Sequence, residues 1–136
     1  MKDRVPLEKR LEAFIELGKF IGGFLQGGRN EDQQKLDELI DTCYLYNGWF
    51  NRENVLKSLE GIAYMLEEKS LRAFAEQVKE PAAPKTVAVI MAGNIPAVGF
   101  HDMLCVLLGG HRILIKLSSD DKLLIALFAI YHPKKA

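Results

Sequence analysis

Apolar and polar residues alternate along the chain with two different periods, and the change between them is the main organising feature. From about Pro6 to Leu25 the residues Leu7, Leu11, Phe14, Ile15, Leu17, Gly18, Ile21, Phe24 and Leu25 recur at steps of three and four. That spacing predicts one apolar helix face. Gly27-Gly28 is expected to end the helix, because glycine tolerates the left-handed turn beyond a helix terminus. Asn30 followed by Gln33 forms a capping-box pattern, which predicts a second helix burying Leu36, Leu39, Ile40 and Tyr44. Tyr46-Asn47-Gly48-Trp49-Phe50-Asn51 reads as a turn carrying two large aromatics. Asn51 is then placed to cap a third helix over residues 52–66, with Val55, Leu56, Leu59, Ile62 and Ala63 facing inward. Ser70 is expected to cap a short fourth helix running through Val78.

Pro81-Ala82-Ala83-Pro84 breaks this pattern, since proline fixes its own torsion and pushes its predecessor out of the helical region. Beyond it, Thr86-Val87-Ala88-Val89-Ile90-Met91 is a β-branched run suited to a buried parallel strand. A turn at Ala92-Gly93-Asn94-Ile95-Pro96 leads to an apolar helix from Ala97 to Leu108, closed by Gly109-Gly110. Residues 112–117 form a second strand, and Ser118-Ser119-Asp120 offer caps for a last helix beginning near Asp121. Strand, turn, helix, strand is a βαβ unit, nearly always right-handed. The expected organisation is therefore α/β, with a helical region over 1–80 and a βαβ unit over 85–136.

Composition narrows the function. Lysine plus arginine and aspartate plus glutamate number 18 each, with the two signs interspersed. A phosphate-dependent nucleic-acid binder would show a basic excess, so nucleic acid is a poor partner. The chain is 49% apolar, enough for a core. Its least polar stretch, residues 87–117, holds Asn94, His101, Asp102 and Arg112, which argues against a membrane span. Met1-Lys2-Asp3-Arg4 opens onto an amphipathic segment and not an apolar signal core. With only Cys43 and Cys105, a disulfide framework is not expected, and a reducing cytoplasm is the natural setting. No histidine, cysteine and carboxylate set has metal-ligand spacing, so no metal site is expected.

The βαβ stretch carries a set of recognisable words. Val87-Ala88-Val89-Ile90-Met91-Ala92-Gly93-Asn94-Ile95-Pro96, then Gly99-Phe100-His101-Asp102, Gly109-Gly110-His111 and Lys116-Leu117-Ser118-Ser119-Asp120-Asp121-Lys122 resemble the LuxC-like acyl-CoA reductases of the aldehyde dehydrogenase superfamily. Upstream, Asn47-Gly48-Trp49-Phe50-Asn51-Arg52-Glu53-Asn54-Val55 is similar to the family's PWF-then-ENV segment, with Gly48 where proline is frequent. The resemblance covers roughly residues 7–125. It implies an incomplete aldehyde-dehydrogenase-like Rossmann domain behind an N-terminal helical segment.

The resemblance also implies roles. Asn94 matches the asparagine whose side-chain amide helps form an oxyanion hole, a donor that stabilises charge developing on a thioester or aldehyde oxygen without titrating. The alternative is an asparagine that only shapes its turn. Ala92, Gly93, Lys116, Ser118 and Ser119 fall where the superfamily binds its nicotinamide cofactor. Lys116 matches the lysine that touches the adenosine ribose, or else is an exposed strand-end charge. Ser119 stands where NAD-preferring members carry a glutamate; a hydroxyl can donate to a 2′-phosphate that a carboxylate would repel, so NADP(H) is the expected cofactor. Both serines could equally be helix caps. No G-x-G-x-x-G fingerprint is present.

In the family, a catalytic cysteine takes the acyl group before hydride releases the aldehyde. Neither cysteine here fits that role: Cys105 lies in an apolar helix without a nearby base, and Cys43 sits beside Tyr44 in another. His101 and Asp102 are adjacent and do not face one another on a helix. His111 and His132 stand alone. Residues 126–136 depart from the family pattern. The expected function is thus the N-terminal portion of an NADPH-dependent, aldehyde-forming acyl-CoA reductase, inactive by itself, with acyl thioester as the family's substrate. A non-catalytic helical interaction or oligomerisation module is the alternative. Two strands alone leave apolar edges, which predicts a homo-oligomer or association with a missing C-terminal half.

Overall fold

The computed structural model describes residues 4–131, and His132 lies outside them. Among the described residues there are six helices and a two-stranded parallel sheet, in the order α1 (Leu7–Leu25), α2 (Glu31–Tyr46), α3 (Arg52–Met65), α4 (Glu68–Ala75), β1 (Thr86–Ile90), α5 (Phe100–Leu108), β2 (Arg112–Lys116) and α6 (Leu123–Ile130). This is a mixed α/β chain.

The capping box at the start of α2 is complete. Asn30 Oδ1 accepts from the Gln33 N–H at 2.8 Å, and Gln33 Oε1 accepts from the Asn30 N–H at 2.9 Å. Asn51 caps α3 by accepting from the Asn54 N–H at 2.9 Å. After α1, Gly27 adopts φ 100°, a left-handed torsion that side chains resist. Within α2, Cys43 is buried and Tyr44 is exposed, so the inward face is set one residue earlier than the pattern predicted.

Three element starts differ from expectation, each for a local reason. Ser70 caps nothing: α3 ends with Leu66 buried, and the chain turns straight into α4 at Glu68, two residues before the serine. That helix stops at Ala75, where short-range turns take over. The helix expected from Ala97 begins only at Phe100, because residues 95–99 form turns and Ala97 has φ 54°. Ser118, Ser119 and Asp120 do not cap the last helix. Residues 118–121 close a tight turn of their own, and α6 starts at Leu123 without a side-chain cap.

A single hydrophobic core runs through both the helical segment and the βαβ unit. Phe100, fully buried, joins them: its ring packs edge-on against Phe14 of α1 at 6.2 Å and Phe128 of α6 at 6.0 Å. Arg10 of α1 pairs with Glu80 and donates to the Leu108 carbonyl at 3.3 Å, fixing the segment between α4 and β1 to the end of α5.

The sheet is covered on one side only. Val89, Ile113 and Ile115 pack against the core and Val87 is half-buried, whereas Ala88, Ile90 and Leu114 are exposed, Ile90 82% and Leu114 63%. The expectation of a buried parallel strand is therefore corrected, since one face of each strand is open. On the inner face, Phe14 and Leu17 of α1, Met103 and Leu107 of α5 and Phe128 of α6 line one cavity with Ile113 and Ile115.

Candidate functional site

The parallel register aligns Ile90 with Lys116, so both strands end at the same level. The Met91 N–H extends the ladder by one bond to the Lys116 carbonyl at 3.0 Å. The turns that follow, residues 92–99 and 117–122, therefore emerge side by side at the carboxyl ends of the strands. In open α/β sheets that is where ligands bind.

The two turns interlock at Gly93. A Cβ there would stand 2.7 Å from the Ser118 Cβ and 3.2 Å from the Asp120 Cβ. Only a hydrogen at this position allows the second turn to approach. The Ser118 hydroxyl accepts from the Asp120 N–H at 3.2 Å and shapes its own turn. Thus Gly93 and Ser118 are brought together at the strand ends. Ala92 and Ser119 are exposed, and Lys116 ends β2 as an exposed residue in register with Ile90.

A second clamp was not foreseen. The Asp121 carboxylate, 5% exposed, accepts from the Ala97 N–H at 2.6 Å, holding Ala97 in its left-handed conformation. Its other oxygen has no hydrogen-bond partner among the described residues. Burial pushes the Asp121 carboxyl above the usual aspartate range, and the Ala97 hydrogen bond opposes this in part. Nothing in the local sequence distinguishes Asp121 from a first-turn helix aspartate, since its partner lies 24 residues upstream.

Asn94 opens on a cleft of ≈ 400 Å³ between its own turn and the start of α3, walled by Trp49, Lys57, Ser58, Ile95 and Pro96. The aromatic turn splits to build it. Phe50 plugs the core, while Trp49 stays 81% exposed, its backbone fixed by bonds to Asn47 Oδ1 at 3.0 Å and from Asn54 Nδ2 at 2.8 Å. The Asn94 side chain makes no hydrogen bond among the described residues, and Lys57 makes no ion pair. The Asn94 amide is thus not occupied in shaping its turn; Ala97 and Asp121 do that. Ser119 opens elsewhere, on a cavity of ≈ 140 Å³ with Cys43, Tyr46 and Asp121.

Both thiols are poor nucleophiles. Cys43 is buried, and burial followed by the charge of Asp121 pushes it up to about 11. Cys105 is only half-buried, and the His101 ring nitrogens lie 3.8 and 3.9 Å from its sulfur. A base is therefore nearby after all, one helical turn earlier. Partial burial and then Asp102 still raise the Cys105 thiol. Nor does His111 stand alone: its Nδ1 accepts from the Lys85 N–H at 3.0 Å and ties the strand entrances together.

Among the described residues no group of three histidine, cysteine or carboxylate side chains is placed to hold a metal ion. No helix among them is long and apolar enough to cross a membrane. No family model matches the chain, and neither a curated protein nor a solved structure matches it.

Proposed function

We propose that this chain forms the N-terminal portion of an NADPH-dependent acyl-CoA reductase that converts a fatty acyl thioester to an aldehyde in the cytoplasm. The observation that carries this reading is the Asn94 amide, exposed in a cleft at the end of β1 and free of hydrogen bonds among the described residues. An N–H donor left unsatisfied by the protein is available to an oxygen on which charge develops. The resemblance of residues 87–122 to LuxC-like reductases supplies the rest of the assignment. In it, Ala92, Gly93, Lys116, Ser118 and Ser119 form a partial NADP(H) site, and the nucleophilic cysteine comes from outside this chain, since Cys43 and Cys105 are both held as thiols.

The test is binding of NADPH and NADH to the purified chain, followed by cofactor fluorescence. Saturable NADPH binding that weakens at least tenfold in Lys116→Ala supports the surviving half-site. No binding of either cofactor at millimolar concentration sinks it.

The uncovered sheet face favours a second reading, a non-catalytic interaction or oligomerisation module. Ile90 and Leu114 form an exposed apolar strip, and each strand has one unpaired edge. Here the chain acts by associating with copies of itself or with a larger partner, and cofactor binding is absent.

A further inference from the structure

We propose that the cavity at the amino ends of the two strands binds a phosphoryl group, free or esterified, through Arg4, Arg112 and His111. It lies at the opposite end of the sheet from Asn94 and Lys116, and it stands apart from the reductase reading. The register pairs Thr86 with Arg112, so both strands start at one level, and the segments leading into them line the cavity through Pro84 and His111. Three guanidinium groups, those of Arg4, Arg10 and Arg112, line it as well, and no carboxylate does. Its volume is ≈ 180 Å³. At roughly 30 Å³ per water-sized group it takes about six such groups, close to the size of a phosphate.

The donors there are fixed in place but not used up. Arg4 is anchored by one nitrogen, Nη1, which donates to the Pro81 carbonyl at 2.6 Å. Its other nitrogens have no protein partner among the described residues. Gly110 leaves room for this: a Cβ there would stand 3.1 Å from Pro81 Cδ and 3.5 Å from Arg4 Nη1. The Arg112 N–H is tied to the Lys85 carbonyl at 2.9 Å, while its guanidinium makes no hydrogen bond or ion pair among the described residues. His111 Nδ1 accepts from the Lys85 N–H at 3.0 Å, so Nε2 carries the ring proton and is a further donor. Arg10 is committed to Glu80, yet its buried Nε–H has no partner. Glu80 thus offsets Arg10, and the charges of Arg4 and Arg112 remain without a local counter-charge. Two such guanidinium groups match a doubly charged phosphate better than a single carboxylate, and their planar forks suit its oxygens. Helix α1 starts beside the cavity without a side-chain cap, and its positive end adds to the attraction.

The full chain is titrated by calorimetry with inorganic phosphate, adenosine monophosphate and adenosine, in about 0.15 M chloride to screen non-specific attraction. The proposal expects saturable binding of phosphate or the monophosphate, and none of adenosine. Equal affinity for the two identifies the phosphoryl group as all that is recognised; tighter monophosphate binding identifies a phosphate monoester. Arg112→Gln weakens binding about tenfold, the loss of one charge-assisted hydrogen bond. Arg112→Lys, which keeps the charge without the fork, recovers only part of the affinity. Arg112 is exposed, so both variants should fold, and urea midpoints check this independently. Phosphate should raise the midpoint of the wild type more than that of Arg112→Gln. No binding of either phosphate compound up to millimolar concentration overturns the proposal, as does adenosine binding as tightly as its monophosphate. Unchanged affinity in Arg112→Gln overturns it too; if Lys116→Ala loses binding instead, the phosphate sits at the other end of the sheet.

Discussion

Asp121 and Ala97, on different turns, are joined by a single 2.6 Å hydrogen bond that sets the shape of the loop carrying Asn94. Its donor is a backbone N–H at φ 54°, and its acceptor is a carboxylate buried to 5% exposure with one oxygen unpartnered. A non-glycine residue persists in that conformation only where the surroundings impose it. The clamp thus couples the two turns at the strand ends.

This arrangement has a signed pH dependence. Burial raises the Asp121 carboxyl in the folded chain above its unfolded value, so the folded state holds the proton more tightly. The stability contribution is then fully present below the ordinary aspartate range and is lost as the pH rises through the folded value. Asp121→Asn keeps an acceptor for the Ala97 N–H and cannot ionise. Its stability relative to the wild type should therefore improve as the pH rises from about 4 toward neutrality. Urea midpoints of both proteins across that range measure the difference, in which other titrations cancel. A variant that loses ground as the pH rises would mean the charged hydrogen bond outweighs the burial.

The Gly93–Ser118 approach makes a second prediction. Gly93→Ala places a methyl 2.7 Å from the Ser118 Cβ, and overpacking of this kind costs about 1–3 kcal/mol. Ser118→Ala removes the hydroxyl, the nearest atom to the new methyl, but leaves the Cβ in place and should relieve only part of the clash. Ser118→Gly removes both atoms and should recover more of the loss, so a double-mutant cycle gives favourable coupling that is larger with glycine than with alanine. Additive losses in the glycine cycle would show the turns are not in contact.

Elements whose signals are local were legible in the sequence. The Asn30–Gln33 capping box and the Gly27 terminator are set by neighbouring residues, and both strands lie within a residue of their expected bounds. The starts of α5 and α6 were not, because the Asp121–Ala97 bond between distant turns displaces both. The site divides in the same way. Asn94, Gly93 and Ser118 stood out as motif residues, but no spacing could place Trp49 and Lys57 beside Asn94, since that depends on how α3 packs. The open sheet face was missed because a β-branched run reads alike whether one face or both are covered.

The thiols should differ sharply in reactivity. Cys43 is buried with its thiol pushed up to about 11, so at pH 8 it should resist alkylation in the native protein. Cys105 is half-buried on α5, and its reaction should be slow but measurable. Mass spectrometry of timed iodoacetamide digests should show one modified cysteine under native conditions and two in urea. Native labelling of Cys43 at a rate equal to Cys105 would contradict its burial.

The outward face of the sheet decides between a lone chain and an assembly. Ile90 and Leu114 are exposed on neighbouring parallel strands, Leu114 opposite Ala88 and Ile90 opposite Lys116, with the charged Arg112 and Lys116 at the ends of β2. Neither residue supports the core from this position, so Ile90→Lys or Leu114→Lys should change stability by no more than about 0.5 kcal/mol. If association covers this strip, each added charge must be desolvated in the interface, and the dissociation constant should rise at least tenfold. Sedimentation equilibrium across the micromolar range measures both the association and its loss. A wild-type chain that stays strictly monomeric there, with a cooperative unfolding transition, would exclude self-association as the way this face is covered. The interaction-module reading would then need a different chain as its partner.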